Sequence, residues 1–383
     1  MKILLINNKK AKIVPLTPLD VKDLTSKKIE ISFLKGVGTY AGYADEEYIS
    51  AGAKRLTKIN AESIKNIDVI LSSDALKQNS IYKLTNPNQL FIVNQSMVND
   101  SKKLYTMIKN NTTLLSTDCI HEDGVYPYNI PHEQIKGSYA PIMASQFLIK
   151  SKVDAEGKCL GSFNYSKQRV TFVILNFSYA GYYAAKNALA LGASVIYLES
   201  NKEYQKELEE DNMLKELTAM HKSSFEVRNS AYEDLVRACT EADVLIATNM
   251  LSTIKTQTRV TRDMISKLHR HGVYIDLECE SGVSSELTLK LNKVQKSGCS
   301  NNAIMLAFDN IPSLFPKTMS EIFGALNTKY LEKISKHPNI HEAIVREKEL
   351  SPAIICYRGK IANKDLADSL HLQYSEFNKI PNK

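Results

Sequence analysis

Short runs of aliphatic and β-branched residues alternate with amphipathic segments along most of the chain. In the first third, runs at 2–7, 29–34, 69–71, 90–93 and 113–115 predict buried strands. The segments between them space their apolar residues three or four apart, which predicts helices. Strands that alternate with helices are typical of a parallel sheet with right-handed crossovers, so the pattern predicts an α/β fold.

The alternation resumes after a predicted helix at 132–150, which is expected to kink at Pro141. Further buried strands are predicted at 169–175, 194–198, 225–227, 243–248, 273–277 and 303–308. These strands and the helices between them predict a second, doubly wound sheet. A helix at 317–334 is then expected to return the chain to its first part.

The 383 residues are enough for two domains, each with its own hydrophobic core. We predict that one domain is discontinuous and consists of residues 1–132 together with 318–383. The other domain is predicted at 133–317. Both alternate strands and helices, so both are expected to be doubly wound α/β domains.

The stretch 168–201 has the order strand, tight turn, helix, strand and terminal acid, which is typical of the first half of a dinucleotide-binding unit. Its second strand ends on Glu199. A carboxylate at that point accepts hydrogen bonds from both ribose hydroxyls and repels a 2′-phosphate. We therefore expect NAD(H) as the favoured cofactor, while Lys202 leaves NADP(H) open.

The turn in this stretch departs from the expected G-x-G-x-x-G, because it reads Asn176-Phe177-Ser178-Tyr179-Ala180-Gly181. Only the third glycine, Gly181, is present, and a serine β-carbon stands where the second glycine lets the pyrophosphate approach the backbone. The helix N-terminus still offers N–H groups and a positive dipole end to a phosphate. Asn176, Ser178 and Gly181 are candidate cofactor-binding residues, and the motif alone leaves dinucleotide binding and its loss equally open.

Composition narrows the classes of function. The net charge of +7 is spread over the chain without a dense basic patch, which argues against nucleic-acid binding and favours a small anionic ligand. No apolar run approaches the length of a membrane span, so no membrane partner is expected. The six cysteines lie far apart without a C-x-x-C pair, which argues against a metal site and fits a reducing cytoplasm.

Several blocks, in order along nearly the whole chain, resemble the alanine dehydrogenase/pyridine nucleotide transhydrogenase N-terminal family. They are Pro15-Leu16-Thr17-Pro18, the glycine-rich block from Gly36 to Ala53, the helix from Ala184 to Ala193, Val260 to Met264, Ile275-Asp276, Asn310 to Thr318, and the tail from Gly359 to Leu370. The form of the block at 310–318 resembles the saccharopine dehydrogenase and N5-(carboxyethyl)ornithine synthase branches of that family.

This resemblance implies two Rossmann-like domains with the active site in the cleft between them. It also implies an oxidoreductase that uses NAD(P)H to reduce a 2-oxo acid, an amino-acid-derived imine or an opine-like substrate. The expected partner is thus a small amino-acid-like molecule, and a homo-oligomer is expected from the family.

Carried over residue by residue, the resemblance keeps some site residues and loses others. The acid near the nicotinamide falls on Glu280, beyond the carboxyl end of the strand at 273–277. The asparagine before the I-P motif falls on Asn310. The arginine that binds the substrate carboxylate falls on Ile13, where the adjacent Lys12 is the candidate substitute.

At two further family positions, this chain lacks the ionisable side chain that the family has. The family lysine falls within Ser72-Ser73-Asp74, and the family histidine falls on Gln95. Glutamine forms hydrogen bonds but cannot deliver a proton at neutral pH, and losing such a group typically costs roughly 10²–10⁴ in rate. His132 is a candidate relocated acid, although a solvent-exposed histidine at a helix start is the alternative.

Two classes of function therefore remain open. One is a divergent NAD(P)-dependent oxidoreductase whose catalytic groups are rearranged, supported by Gly181, Glu199, Glu280 and Asn310. The other is a catalytically silent relative that acts as a binding, regulatory or scaffold protein, supported by the altered turn and the missing lysine, histidine and arginine.

Overall fold

The computed structural model of the protein describes residues 1–7, 12–73, 81–87, 89–93, 101–149, 157–166, 168–176, 178–199, 212–221, 223–229, 232–248, 260–278, 285–287, 292–308 and 310–380. The chain divides into two compact units. The first consists of Met1–Pro131 and Ser313–Lys383, and the second of His132–Pro312.

The strands of the described residues are β1 (Lys2–Ile6), β2 (Glu30–Leu34), β3 (Lys54–Leu56), β4 (Val69–Ser72), β5 (Leu90–Val93), β6 (Thr113–Ser116), β7 (Thr171–Leu175), β8 (Ser194–Glu199), β9 (Phe225–Asn229), β10 (Val244–Ala247), β11 (Val273–Asp276), β12 (Lys293–Lys296), β13 (Ile304–Ala307), β14 (Ile354–Tyr357) and β15 (Lys360–Ile361). The α-helices are α1 (Pro18–Ser26), α2 (Asp45–Ser50), α3 (Ala61–Ile64), α4 (Ser101–Lys109), α5 (Asn129–Ser145), α6 (Tyr179–Ala190), α7 (Asn212–Met220), α8 (Tyr232–Glu241), α9 (Arg262–Lys267), α10 (Pro316–Ser335), α11 (Ile340–Arg346) and α12 (Lys364–Leu370).

The first unit is built on a sheet whose described strands have the order β15-β14-β6-β5-β4-β1-β2-β3. The six strands from β6 to β3 are parallel, whereas β14 and β15 extend the sheet in antiparallel pairing. All residues of β4, β5 and β6 are buried, as expected for parallel strands that helices cover on both faces. Their side chains pack with those of α4 and β14 in one apolar core.

The second unit contains a sheet whose described strands have the order β12-β13-β11-β10-β7-β8-β9. All its pairs are parallel except β12 with β13. Counted along this unit, the parallel strands follow the order 3-2-1-4-5-6 of a dinucleotide-binding fold, and the order reverses between β7 and β10. Ligands of such sheets bind at that reversal, beyond the carboxyl ends of the strands.

The two parallel-dominated sheets confirm the predicted fold class. Every strand predicted from an apolar run is present, with bounds that differ by a few residues. The predicted helix at 132–150 is α5, which begins and ends earlier and contains Pro141. The sequence did not predict β3 and β12, because these edge strands are largely exposed and lack an apolar run. It also did not predict β14 and β15, although all residues of β14 are buried. None of the described helices combines the length and hydropathy needed to cross a bilayer.

Candidate cofactor site and its surroundings

The turn after β7 begins with Asn176, which is buried and has a backbone φ of +65°. Its side-chain amide donates a hydrogen bond to the Thr248 carbonyl oxygen at 3.1 Å. Its own carbonyl oxygen accepts hydrogen bonds from the Tyr197 hydroxyl at 3.1 Å and the Thr248 hydroxyl at 2.8 Å. Asparagine is one of the few residues besides glycine that adopt this left-handed conformation readily. Contacts from β8 and from the end of β10 therefore hold the tight turn that a first glycine normally makes.

Ser178 is the N-cap of α6. Its hydroxyl oxygen accepts a hydrogen bond from the Gly181 N–H at 2.9 Å, and the residue is only 3% exposed. Serine is among the best N-caps because it satisfies an N–H group that has no partner within the helix. The hydroxyl thus turns back onto the first turn of α6 and stabilises the helix end.

Gly181 lies where α6 crosses closest to β8. A β-carbon at this position would lie 2.1 Å from the Tyr197 hydroxyl oxygen and 3.2 Å from the Asn176 carbonyl oxygen. Tyr197 is fully buried, so its ring has little room to move aside. A glycine is therefore required here for close packing of helix and strand, as in dinucleotide-binding folds.

The structure places the three predicted cofactor residues at the strand-order reversal, Asn176 and Ser178 in the turn after β7 and Gly181 in the first turn of α6. The side chains of Asn176 and Ser178 are engaged within the turn itself, so their polar atoms shape the backbone and the helix end. Phe177, between them, lies outside the described residues. Cofactor binding by this turn stays a prediction, and the geometry favours binding through the N-terminus of α6 over binding through these side chains.

Two other predicted cofactor residues lie at the carboxyl edge of the same sheet. Glu199 is the last residue of β8, beside β7, and its side chain lies outside the described part of the chain. Asn310 follows β13 on the other side of the reversal, is exposed and has a φ of +47°. Their roles in binding stay predictions.

The predicted catalytic residues Gln95 and Glu280 both lie outside the described residues. Lys12, the predicted substrate-binding residue, is exposed in the first unit. Nearby, the hydroxyl oxygen of Ser73 lies 2.6 Å from both the Asn7 side-chain oxygen and the Ile13 carbonyl oxygen. Ser73 belongs to the segment where the family lysine was expected. Its two contacts connect the residue after β4 with Asn7, the residue after β1, and with Ile13.

His132 lies in the first half of α5. Burial, and to a lesser degree the nearby Lys136 ammonium, lower the pKa of its imidazole to about 4. The ring is therefore neutral at pH 7 and carries no surplus proton. The role of relocated acid stays a prediction for His132, and its environment weighs against that role.

Three charged side chains that the sequence analysis did not single out meet beside His132. The Lys136 ammonium on α5 lies 3.0 Å from the Glu133 carboxylate and 3.5 Å from the Glu278 carboxylate. Their side chains are 21%, 23% and 13% exposed, respectively. The spacing of Glu133 and Lys136 on a helix was visible in the sequence, but the approach of Glu278 was not.

The pKa values in this group follow from its burial. Burial, opposed by the Lys136 ammonium and assisted by the Glu133 carboxylate, raises the pKa of Glu278 to about 7. Burial lowers the pKa of Lys136, but the two carboxylates more than offset this effect, so its pKa is raised overall. Lys136 is thus a cation at neutral pH, and Glu278 titrates near neutrality.

The helix that carries Lys136 packs on α6. A β-carbon at Gly137 would lie 2.1 Å from the Ala180 carbonyl oxygen, so the two helices are in close contact at the first turn of α6. Hydrogen bonds of 2.8 Å from Gln134 to the Tyr183 hydroxyl and from Asn187 to the Ser138 carbonyl oxygen extend this contact. Lys136 therefore directly precedes, along α5, the residue that contacts the first turn of α6.

Comparison with known proteins agrees with this architecture. Residues 7–126 match the N-terminal domain, and residues 140–364 the C-terminal domain, of the alanine dehydrogenase/PNT family. Alanine dehydrogenase 1 of Staphylococcus aureus strain NCTC 8325 / PS 47 is 25% identical over 366 residues, which is 95% of this chain and 94% of the relative. The corresponding protein of strain MSSA476 is 24% identical over the same lengths.

Solved structures share the fold at lower identity. An L-alanine dehydrogenase has a TM-score of 0.78 at 18% identity, covering 97% of this chain and 99% of that chain. A transhydrogenase from Sinorhizobium meliloti has a TM-score of 0.71 at 15% identity, covering 95% and 100%. From the two matched domains, the chain belongs to the alanine dehydrogenase/PNT family, whose members are typically NAD-dependent oxidoreductases.

Proposed function

We propose that the protein is a divergent NAD(P)-dependent oxidoreductase that acts on an amino-acid-derived imine, a 2-oxo acid or an opine-like substrate. The observation that carries this proposal is the turn at the strand-order reversal of the second unit. Asn176 supplies its left-handed residue, Ser178 caps α6, and Gly181 allows the close approach to β8. Two local requirements of a dinucleotide turn, the left-handed first residue and the close packing of helix and strand, are thus supported by other side chains or by Gly181, while Ser178 takes the place of the second glycine.

The residues of the second unit fit a dinucleotide in the following way. The N-terminus of α6 would hold the pyrophosphate, and Glu199 at the end of β8 would accept hydrogen bonds from the adenosine ribose. Such a carboxylate favours NAD(H) over NADP(H). The other half of the cofactor would extend over the ends of β10, β11 and β13, near Glu280 and Asn310. When bound, it would supply the hydride.

The first unit would bind the substrate. Lys12 would pair with a substrate carboxylate, and Gln95 would form a hydrogen bond with the substrate. His132 is the proposed acid carried over from the sequence, although its neutral ring weighs against that role. A homo-oligomer, expected from the family resemblance, and a cytoplasmic location, expected from the cysteine pattern, stay predictions.

Titration of the purified protein with NADH and with NADPH, followed by calorimetry or cofactor fluorescence, tests the proposal. We expect NADH to bind more tightly than NADPH. Glu199→Ala should weaken NADH binding by about 1–3 kcal/mol, the loss expected for a hydrogen-bonded charged group. Absence of binding of either cofactor at millimolar concentration would refute the oxidoreductase, and a preference for NADPH would refute the role of Glu199.

A matched control comes from Glu226, an exposed acid on the neighbouring strand β9 that pairs with Arg228 at 2.8 Å. Glu226→Ala removes one carboxylate from the same sheet, away from its carboxyl edge. It should leave NADH affinity unchanged, so an equal loss in both variants would point to a general effect of charge.

A catalytically silent relative is the second candidate, and Ser73 favours it. This residue belongs to the segment where the family lysine falls, it is buried, and its hydroxyl is engaged with Asn7 and Ile13. A protein that binds NADH without turning over any 2-oxo acid or imine would support this alternative.

A further inference from the structure

The group formed by Glu133, Lys136 and Glu278 lies at the carboxyl edge of the second unit's sheet. Glu278 follows the end of β11 by two residues, and its backbone N–H donates a hydrogen bond to the Asp276 carboxylate at 2.9 Å. Asp276 is itself only 2% exposed. The backbone that carries Glu278 is thus held by the last residue of the strand.

The position of this group in the sheet indicates which half of a bound dinucleotide would lie near it. In a doubly wound sheet the strands on one side of the order reversal bind one mononucleotide and the strands on the other side bind the second. Glu199, the predicted ribose acid, would place the adenosine half on the side of β8. The nicotinamide half then belongs to the side of β10 and β11, where Glu278 lies.

We propose that Glu278, in place of His132, is the acid–base group of the reaction and that Lys136 and Glu133 set its protonation. This proposal rests on the oxidoreductase function proposed above. An oxidoreductase of this kind requires a group that can hold or release a proton at neutral pH beside the reacting carbon. Glu278 meets the protonation part of this requirement, because burial and Glu133 favour its neutral form, whereas Lys136 favours its carboxylate. Its position just beyond β11, at the carboxyl edge of the sheet, is the reason for placing it on the nicotinamide side.

The proton and electron balance of the step is simple. In the reductive direction, the carbonyl or imine carbon of the substrate would accept a hydride from a bound NADH, which would be oxidised to NAD⁺. The electron pair of the double bond moves to the oxygen or nitrogen, which takes the proton from the Glu278 carboxyl. Solvent then reprotonates the carboxylate, and the oxidative direction reverses each of these transfers.

The charged groups around Glu278 predict how it responds to pH. Lys136 and Glu133 face it from α5, His132 lies on the same helix as a neutral ring, and Asp276 raises its pKa from its own strand. The protonated form, required for reduction, is therefore lost as pH rises through about 7. The carboxylate, required for oxidation, is gained over the same range.

Binding of NAD⁺ and NADH tests the placement of Glu278 without relying on activity. The nicotinamide ring of NAD⁺ is positively charged, so a carboxylate beside it favours NAD⁺ over NADH. Calorimetric titrations at pH 6 and pH 8 should show the ratio of NAD⁺ to NADH affinity rising by roughly fivefold in the wild-type protein. In Glu278→Gln, which keeps the size of the side chain, the ratio should not change with pH.

Two further variants separate proton transfer from a merely structural role. Lys136→Met removes the cation and should move the midpoint of the pH dependence upward. Glu133→Gln removes a neighbouring negative charge and should move it downward. Opposite shifts are expected only when both charges act on the titration of Glu278, so shifts in the same direction would overturn the proposal.

Reductive turnover of a panel of 2-oxo acids with NADH, in the presence of ammonium or an amino acid, gives the second readout. Glu278→Gln should lose roughly 10²–10⁴ in rate while retaining NADH affinity. Full activity of this variant, or an affinity ratio that is independent of pH in the wild-type protein, would overturn the role of Glu278 alone. Failure of both cofactors to bind, or binding without turnover of any substrate, would instead overturn the oxidoreductase function.

Discussion

The hydroxyl group of Tyr197 occupies the space that a side chain at position 181 would need. A β-carbon on Gly181 would lie 2.1 Å from the tyrosine oxygen, which in turn donates a hydrogen bond to the Asn176 carbonyl. One hydroxyl thus fixes the distance between α6 and β8 and also supports the turn that joins β7 to α6. This is why the third glycine of the motif persists while the first two positions have changed.

Gly181→Ala is expected to destabilise the second unit by about 1–3 kcal/mol, because a methyl group is forced into an occupied space. Urea unfolding measures this loss. NADH affinity should fall as well, since the first turn of α6 must shift.

Tyr197→Phe provides the control for that prediction. Alone, it should cost about 1 kcal/mol through the lost hydrogen bond to Asn176. Combined with Gly181→Ala, it removes the atom that clashes most severely. The double variant should therefore be more stable than the sum of the two single effects predicts, and strict additivity would contradict the contact.

At position 176, substitution by glycine should destabilise the protein less than substitution by alanine. Asn176→Gly loses the side-chain hydrogen bond to Thr248 but tolerates the φ of +65°. Asn176→Ala loses the same bond and adds the strain of a left-handed alanine, about 1–2 kcal/mol. Urea unfolding should therefore show the alanine variant to be less stable than the glycine variant, and the reverse order would show that the turn relaxes.

His132 should make stability fall in mild acid. Its folded-state pKa of about 4 lies below the ordinary value of 6.5, so the unfolded chain binds a proton that the folded chain does not. The resulting loss of stability begins as pH falls below about 6.5 and is complete below about 4, at roughly 3 kcal/mol. His132→Gln should flatten the dependence of the urea midpoint on pH in this window.

Glu278 has the opposite effect on the pH dependence of stability, so it serves as a comparison for His132. Its folded-state pKa is raised to about 7 from 4.5, so the folded chain keeps a proton that the unfolded chain has released. Stability from this source is lost as pH rises from about 4.5 through about 7. Glu278→Gln should therefore steepen the acid-induced loss of stability that His132→Gln flattens.

The sequence alone predicted most of the architecture, because parallel strands buried on both faces must be apolar throughout. Runs such as 171–175 and 244–247 are unmistakable for this reason. The edge strands β3 and β12 were not predicted, because exposed strands carry polar residues and resemble loops. The buried strand β14 was not predicted either, because a short apolar run alone does not distinguish a strand from part of a helix. The end of α5 was misplaced because its last predicted turn has no capping residue that stops the pattern.

The candidate site divides in the same way. The sequence by itself determined the strand, turn and helix around Gly181 and the position of Glu199 at the end of the next strand, because these depend on residues close together in the chain. It also determined the family, because the family's motifs occur in order along nearly the whole chain. Only the tertiary structure decided how the altered turn works, since Asn176 is held by Thr248, 72 residues away. It alone brought Lys136 to Glu278 across 142 residues, and burial of that pair, which no local pattern encodes, moves the glutamate towards neutral pH.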